Sequence, residues 1–252
     1  MSLATSDIVK NNNLGFDKDK SKTKIVVAMS GGVDSSVVAA LLKSQGYNVV
    51  GITLQLFDYG KIGKSKGTCC AGKDIYDAKK VCNQLDIKHE VFNYESIFRE
   101  EVIEKFANSY VKGETPVPCI DCNQTVKFRD LFKSAKNLDA DALATGHYVR
   151  RIFNSNAKMY RPEDLDRDQS YFLFNTLQEQ LEYLRFPLGN ISKALTRNIA
   201  KDLDADALAT GHYVRRVLSN SAKMYRPEDL NRDQSYFLFN TLQEQLDYLR
   251  FP

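Results

Sequence analysis

The chain reads as an α/β protein with a parallel, doubly wound sheet and a helical or irregular C-terminal part. Two observations predict this. Short buried-strand patterns alternate with helix patterns through the first half, and a Gly-Gly turn joins the first strand to the first helix. Parallel strands need long crossovers, usually helices, which cover both faces of the sheet and leave each strand apolar along its length.

The elements follow in order. Residues 24–29, with the run Ile25-Val26-Val27-Ala28-Met29, are predicted as a buried strand, and 35–45 as a helix closed by Gly46. A second buried strand covers 48–54. A helix spans 74–85 with Ile75, Ala78 and Val81-Cys82 on one face, a short strand 89–92, and a helix 96–111 with Ile97, Val102-Ile103 and Phe106 inward. Residues 59–73 carry Gly60, Gly63, Gly67 and four lysines without periodicity and read as a mobile surface loop. Thr115-Pro116-Val117-Pro118 then breaks the helix, because each proline drives its predecessor out of the α region. A further helix is expected from Asn123 to Ala135, and ligands are expected at the carboxyl ends of the strands.

The turn at those strand ends is Ser30-Gly31-Gly32-Val33-Asp34-Ser35-Ser36. Two glycines let the backbone curl close to an anion, and the new helix aims unpaired N–H groups and its positive end at it. No lysine follows, unlike the ordinary P-loop, and Asp34 stands where a cation is expected. A carboxylate beside a polyphosphate makes sense if Mg²⁺ bridges the two. The pattern resembles the loop of ATP pyrophosphatases, which hold the leaving pyrophosphate while a substrate oxygen attacks the α-phosphorus. That resemblance places the sheet in the adenine nucleotide α-hydrolase-like type.

Composition bounds the rest. A chain of 252 residues with 43% hydrophobic residues makes one large or two modest domains. The balance of 35 Lys and Arg against 32 Asp and Glu neither demands nor excludes nucleic acid. Residues 1–23 are polar, lack the apolar core of a secretory signal, and read as a disordered extension. No run approaches the roughly 18 apolar residues of a membrane span, and five cysteines without a signal peptide point to reduced thiols in the cytoplasm.

Residues 138–187 recur as residues 203–252, with differences such as Asp166 against Asn231. Likeness at core and surface alike marks a recent duplication rather than a solenoid. The expected division is 24–150 as the nucleotide domain, 151–203 as a contact region with helices, and 203–252 as the repeat. The first copy, joined directly to its natural continuation, is expected in the pocket. In the second, the apolar run Tyr236-Phe237-Leu238-Phe239 would lack its partners.

Cys119-Ile120-Asp121-Cys122 follows the Pro-Val-Pro break at the start of a helix, where the dipole stabilises a thiolate. Three readings stay open: half of a zinc site with Cys69-Cys70, a buried structural pair, or a reactive thiol. Cys82, on an apolar helix face, reads as core.

Four segments together resemble bacterial tRNA-specific 2-thiouridylases: Ala28–Ser35, Thr115–Asn123 with Lys127-Phe128, Ala144–Tyr148, and Arg167–Phe172. The resemblance implies an ATP site at Ala28, Met29, Ser30, Gly31, Gly32, Val33, Asp34 and Ser35, with Leu54 and Gly146 flanking the adenine nucleotide. It sets Val117, Pro118 and Cys119 against the target base, makes Cys122 the nucleophile, and brings His147, Arg167, Asp168 and Gln169 to tRNA. The implied reaction adenylates the wobble uridine with ATP and Mg²⁺, then transfers sulfur from a cysteine persulfide supplied by a donor protein. Relatives carry the persulfide cysteine after the helix at 191–203 and a β-rich domain beyond it. Here no cysteine follows Cys122, so the resemblance implies impaired thiolation. The alternatives are a remnant that binds ATP or tRNA without catalysis, or another carbonyl-adenylating ATP pyrophosphatase.

Overall fold

The computed structural model describes residues 14–56, 72–202, 208–209, 215–218, 221–226, 243 and 249–250. Five parallel strands form the sheet: β1 (Lys24–Ala28), β2 (Asn48–Gln55), β3 (Lys88–Asn93), β4 (Ala142–Ala144) and β7 (Leu184–Arg185). Their spatial order is β3-β2-β1-β4-β7. The order reverses between β1 and β4, and a parallel α/β sheet offers its ligand crevice at the carboxyl ends of two such strands.

The predicted helices form: α1 (Val33–Ser44), α2 (Gly72–Gln84), α3 over residues 95–111 and α4 over residues 118–137. Two of them carry π segments, Arg99–Glu104 in α3 and Asn123–Asp130 in α4. Residues 59–71 of the expected mobile loop lie outside the described residues.

Strand periodicity separates two buried faces. Val26, Val50 and Leu54 join one core cluster with Val102 of α3 and Val126, Phe128 and Leu131 of α4. Ile25 and Val27 are fully buried but point the other way. On that side Gly51, paired with Val27, has no room for a side chain: a Cβ there would lie 2.8 Å from Cys82 Sγ on α2. Burial pushes the Cys82 thiol up to about 11, as expected of a core cysteine.

Of the extension expected to be disordered, residues 1–13 lie outside the described residues, whereas residues 14–23 are laid against the protein. Leu14 is buried and its carbonyl accepts from Arg185 Nε at 2.7 Å, Phe16 lies under that guanidinium, and Lys18 pairs with Asp141 at 2.8 Å. Apolar burial and these bonds outweigh the polar composition that suggested disorder. Nor does the fold break at 150, because β7 completes the sheet from beyond it; the first compact unit runs from Met1 to Thr196 and the second from Arg197 to Pro252.

The duplication is visible in the pairings. In the first unit β5 (Arg150–Phe153) and β6 (Ala157–Tyr160) form a hairpin and β4 pairs with β7 through Leu143 and Leu184. In the second unit β9 (Arg215–Leu218) and β10 (Ala222–Tyr225) form the same hairpin, and β8 (Leu208–Ala209) pairs with β11 (Leu249–Arg250) through Leu208 and Leu249. Gln178 donates to the Ala157 carbonyl at 3.0 Å, and Gln243 to that of Ala222 at 2.8 Å. Residues 236–239 lie outside the described residues.

Candidate functional site

The turn at the end of β1 is shaped by its own short side chains. Gly31 takes φ of +76°, open to glycine, and a Cβ there would strike the Asp74 carbonyl oxygen of α2 at 2.3 Å. Ser35 Oγ accepts from Ser30 N–H and donates to the Gly32 carbonyl, both at 3.1 Å. The first intrahelical bond runs from Ser36 N–H to the Gly32 carbonyl, so the N–H groups of Val33, Asp34 and Ser35 open α1 ahead of it. Gly146, at the end of β4, closes over this turn: a Cβ there would lie 3.0 Å from Ser35 N and 3.1 Å from Asp34 Cβ.

A cavity of about 810 Å³, counted out to its open mouth, extends from the turn. Of the residues singled out in the sequence, Ala28, Met29, Ser30, Asp34 and Ser35 line it on the β1 side. Leu54, Gly146, His147 and Gln169 line it elsewhere. Gly31, Gly32 and Val33 shape the turn without lining the cavity. Ile52, Leu56, Phe128 and Leu131 add an apolar wall that the sequence reading had not assigned to the site. An apolar wall with a polar turn at one end suits a flat heterocycle bearing phosphates, so the residues present fit ATP.

Val117, Pro118, Cys119, Cys122, Arg167 and Asp168 do not line this cavity. Val117 and Pro118 are partly exposed, Cys119 is exposed, and Cys122 is buried in the core cluster. The neighbouring Asn123 donates to the Phe172 carbonyl at 3.1 Å, tying α4 to the turn at Ser170–Leu173. His147 Nδ1 lies 2.9 Å from Thr145 Oγ1, and its ring meets Phe128 edge-on. Gln169 accepts from Tyr148 N–H at 2.8 Å. Arg167 is exposed, whereas Asp168 holds Arg161 at 2.5 Å and Ser170 N–H at 2.9 Å. Burial opposes the Asp168 charge, but bonds from Ser170 and Arg161 outweigh it and hold the carboxyl below its usual range.

The sequence reading missed the partners of Asp34. Lys193, at the start of α5 (Lys193–Asp202), donates to both Asp34 oxygens at 2.5 and 2.6 Å. Tyr148 Oη lies 3.0 Å from Asp34 Oδ1 and 2.9 Å from Thr196 Oγ1, and its single hydrogen serves one of them at a time. Burial, opposed by Thr196 and aided by Asp34, drives the Tyr148 hydroxyl far above its ordinary range. Nothing local signals Lys193, which lies 159 positions from Asp34.

Gly146 and His147 of the first copy stand at the turn; Gly211 and His212 lie outside the described residues, as do Cys69 and Cys70. Among the described residues no helix is long and apolar enough to cross a membrane.

The family model described as the tRNA methyl transferase HUP domain matches residues 23–204 and again 195–252. The tRNA-specific 2-thiouridylase MnmA of Rhizobium leguminosarum bv. trifolii is 61% identical over 198 residues, 76% of this chain and 50% of its own. That of Brucella canis is 60% identical over 193 residues, 76% of this chain and 48% of its own. The chain thus spans about half the length of these curated relatives. Among solved structures, NMN synthetase from Francisella tularensis covers 79% of this chain and 69% of its own at TM-score 0.46 and 15% identity.

Proposed function

The chain belongs to the tRNA methyl transferase HUP domain family, and on that premise we propose that it takes part in ATP-dependent 2-thiolation of a tRNA wobble uridine. The observation that carries this reading is one cavity lined both by Ser30, Asp34 and Ser35 of the phosphate-type turn and by His147 and Gln169. Bound there, ATP would supply the adenylyl group that turns a uracil carbonyl oxygen into a leaving group. The N–H groups opening α1 would hold phosphate oxygens, and Leu54, Phe128 and Leu131 would pack the base.

Asp34 neutralises Lys193 in this structure. Release of that ammonium would offer Asp34 to Mg²⁺ and leave Lys193 beside the phosphates, a cation that the turn itself lacks. On the nucleic-acid side, Val117, Pro118 and Cys119 would meet the flipped base, with Cys122 as the nucleophile behind them. Arg167 would meet the tRNA backbone, His147 and Gln169 would face the tRNA from the cavity, and Asp168 would hold the loop of Arg167 and Gln169 in shape through Arg161. The exposed rings of Tyr171 and Phe174 add stacking faces for unpaired bases. Sulfur would come from a donor protein as a persulfide.

Mass spectrometry of wobble uridines in cells relying on this chain alone tests the proposal. 2-Thiouridine above the level of cells lacking the chain supports it. Its absence, with folded protein present and ATP-Mg²⁺ binding measured by calorimetry, confines the chain to nucleotide binding. No heat with ATP-Mg²⁺ on folded protein overturns the assignment of the turn.

A further inference from the structure

Resting on the sulfur-transfer reading above, we propose that Cys119 is the entry thiol of a two-cysteine relay. It takes a sulfane sulfur from an external persulfide and hands it to Cys122. The observation is a division of exposure within one helical turn: Cys119 is exposed, Cys122 is buried, and both lie in the α-helical segment Pro118–Cys122. A persulfide on a protein or peptide carrier meets Cys119 first, while Cys122 sits among Val126, Phe128 and Leu131.

Helix geometry selects the hand-over. Residues three apart share a face with Cβ atoms about 5–6 Å apart, and each Cα–Cβ bond tilts toward the N-terminus, so Cys122 leans toward Cys119. A direct disulfide needs Cβ atoms at about 3.5–4.5 Å and would force the turn to tighten. A persulfide lengthens the Cys119 arm by one S–S bond, about 2.05 Å, and spans the gap without moving the backbone. The outer sulfur of Cys119 is therefore the atom within reach of Cys122.

The steps balance. The Cys119 thiolate attacks the outer sulfur of R–S–SH; the new Cys119 S–S bond forms, the R–S bond breaks, and R–SH leaves with the proton. The Cys122 thiolate then attacks the outer sulfur of Cys119–S–SH, giving Cys122–S–SH and a Cys119 thiolate that takes up the Cys122 proton. No electrons are gained or lost overall, so no oxidant is required. Cys82 stays out of this chemistry, because it is fully buried and its thiol is pushed to about 11.

The test treats the whole protein with glutathione persulfide for increasing times, blocks thiols, and maps added sulfur by fragmentation mass spectrometry. Both cysteines fall in one tryptic peptide, residues 113–127, separate from Cys69, Cys70 and Cys82. Sulfur should reach Cys119 first and Cys122 later. Cys122→Ser should retain it on Cys119, and Cys119→Ser should slow loading of Cys122 by at least about tenfold, since intramolecular delivery is lost. Cys122 loaded at the unaltered rate in Cys119→Ser, or loaded before Cys119 in the unaltered protein, overturns the relay. So does a Cys119–Cys122 disulfide that forms with no sulfur ever on Cys122. The experiment uses neither ATP nor tRNA, so an intact relay beside absent 2-thiouridine sinks the functional reading and leaves the relay standing.

Discussion

Gly146→Ala perturbs the cavity where the segment after β4 closes on the phosphate-type turn. The added methyl carbon would lie 3.0 Å from Ser35 N, 3.1 Å from Asp34 C and 3.1 Å from Asp34 Cβ, against an ordinary contact of 3.4 Å or more. Two of those atoms belong to the backbone of the first turn of α1. Ser35 Oγ pins that turn to Ser30 and Gly32, so it cannot retreat cheaply. Overpacking of this kind costs about 1–3 kcal/mol. If the turn gives way by a few tenths of an ångström, its N–H groups leave their phosphate geometry. A loss of about 1–2 kcal/mol in binding is then roughly a five- to thirtyfold rise in the Kd for ATP-Mg²⁺. Calorimetry measures that rise, and thermal unfolding checks that the protein remains folded. A folded Gly146→Ala protein with unaltered ATP affinity would refute the placing of phosphates at this turn.

Gly31→Ala should destabilise more than Gly146→Ala in thermal unfolding, because left-handed backbone costs a non-glycine residue roughly 1–2 kcal/mol and the methyl would also collide with α2 at Asp74. A double-mutant cycle of Lys193→Met and Asp34→Asn should give a stability coupling of about 1 kcal/mol, discounted for side chains 18% and 32% exposed; zero coupling would show that the pair contributes nothing to folding. Cys82 ionises at 9.0 when unfolded but only at about 11 when folded, so its stabilising effect is whole below pH 9.0 and lost as pH rises through about 11. Denaturant melts from pH 8 to 11 should therefore fall less steeply in Cys82→Ala than in the unaltered protein, and equal slopes would refute the assignment. Removal of residues 203–252 should leave ATP-Mg²⁺ affinity within about twofold, since every described side chain of the cavity precedes Thr196; calorimetry on the shortened chain checks it.

The strands and most helices were legible because their burial follows periodicity. β1 is buried through residues 25–27 and β2 through residues 49–54, α1 is buried all round over residues 37–42, and α2 turns Ala78 and Cys82 inward. The turn at Ser30–Ser35 was legible because its glycines and short hydroxyl side chains determine its shape from within. What escaped the sequence reading depends on contacts distant along the chain. Polar residues 14–19 look disordered by composition, yet Arg185 gathers the Leu14 carbonyl and the Phe16 ring from 171 positions away. The relation between Cys119 and Cys122 was half legible: spacing put them on one helix turn, but only tertiary packing decided which thiol faces solvent. The π segment that begins directly after Cys122 has no sequence signature at all.

Asp34 shows how such a distant contact alters chemistry. A carboxylate on the first turn of α1 suits the helix dipole, but alone it would set a negative charge beside the N–H groups of that turn and oppose the anion binding proposed there. Lys193 removes the conflict by pairing with both carboxylate oxygens, and the Tyr148 hydroxyl, held also by Thr196, fixes the carboxylate's orientation. The turn then presents N–H groups and a helix N-terminus without a net negative charge. An ordinary P-loop carries its lysine within the turn; here the ammonium comes from Lys193, 159 positions further along the chain, so the turn gains its cation only through a tertiary contact. The same packing that seats Gly146 on Ser35 seats Tyr148 on Asp34, which makes the end of β4 the element that assembles the site.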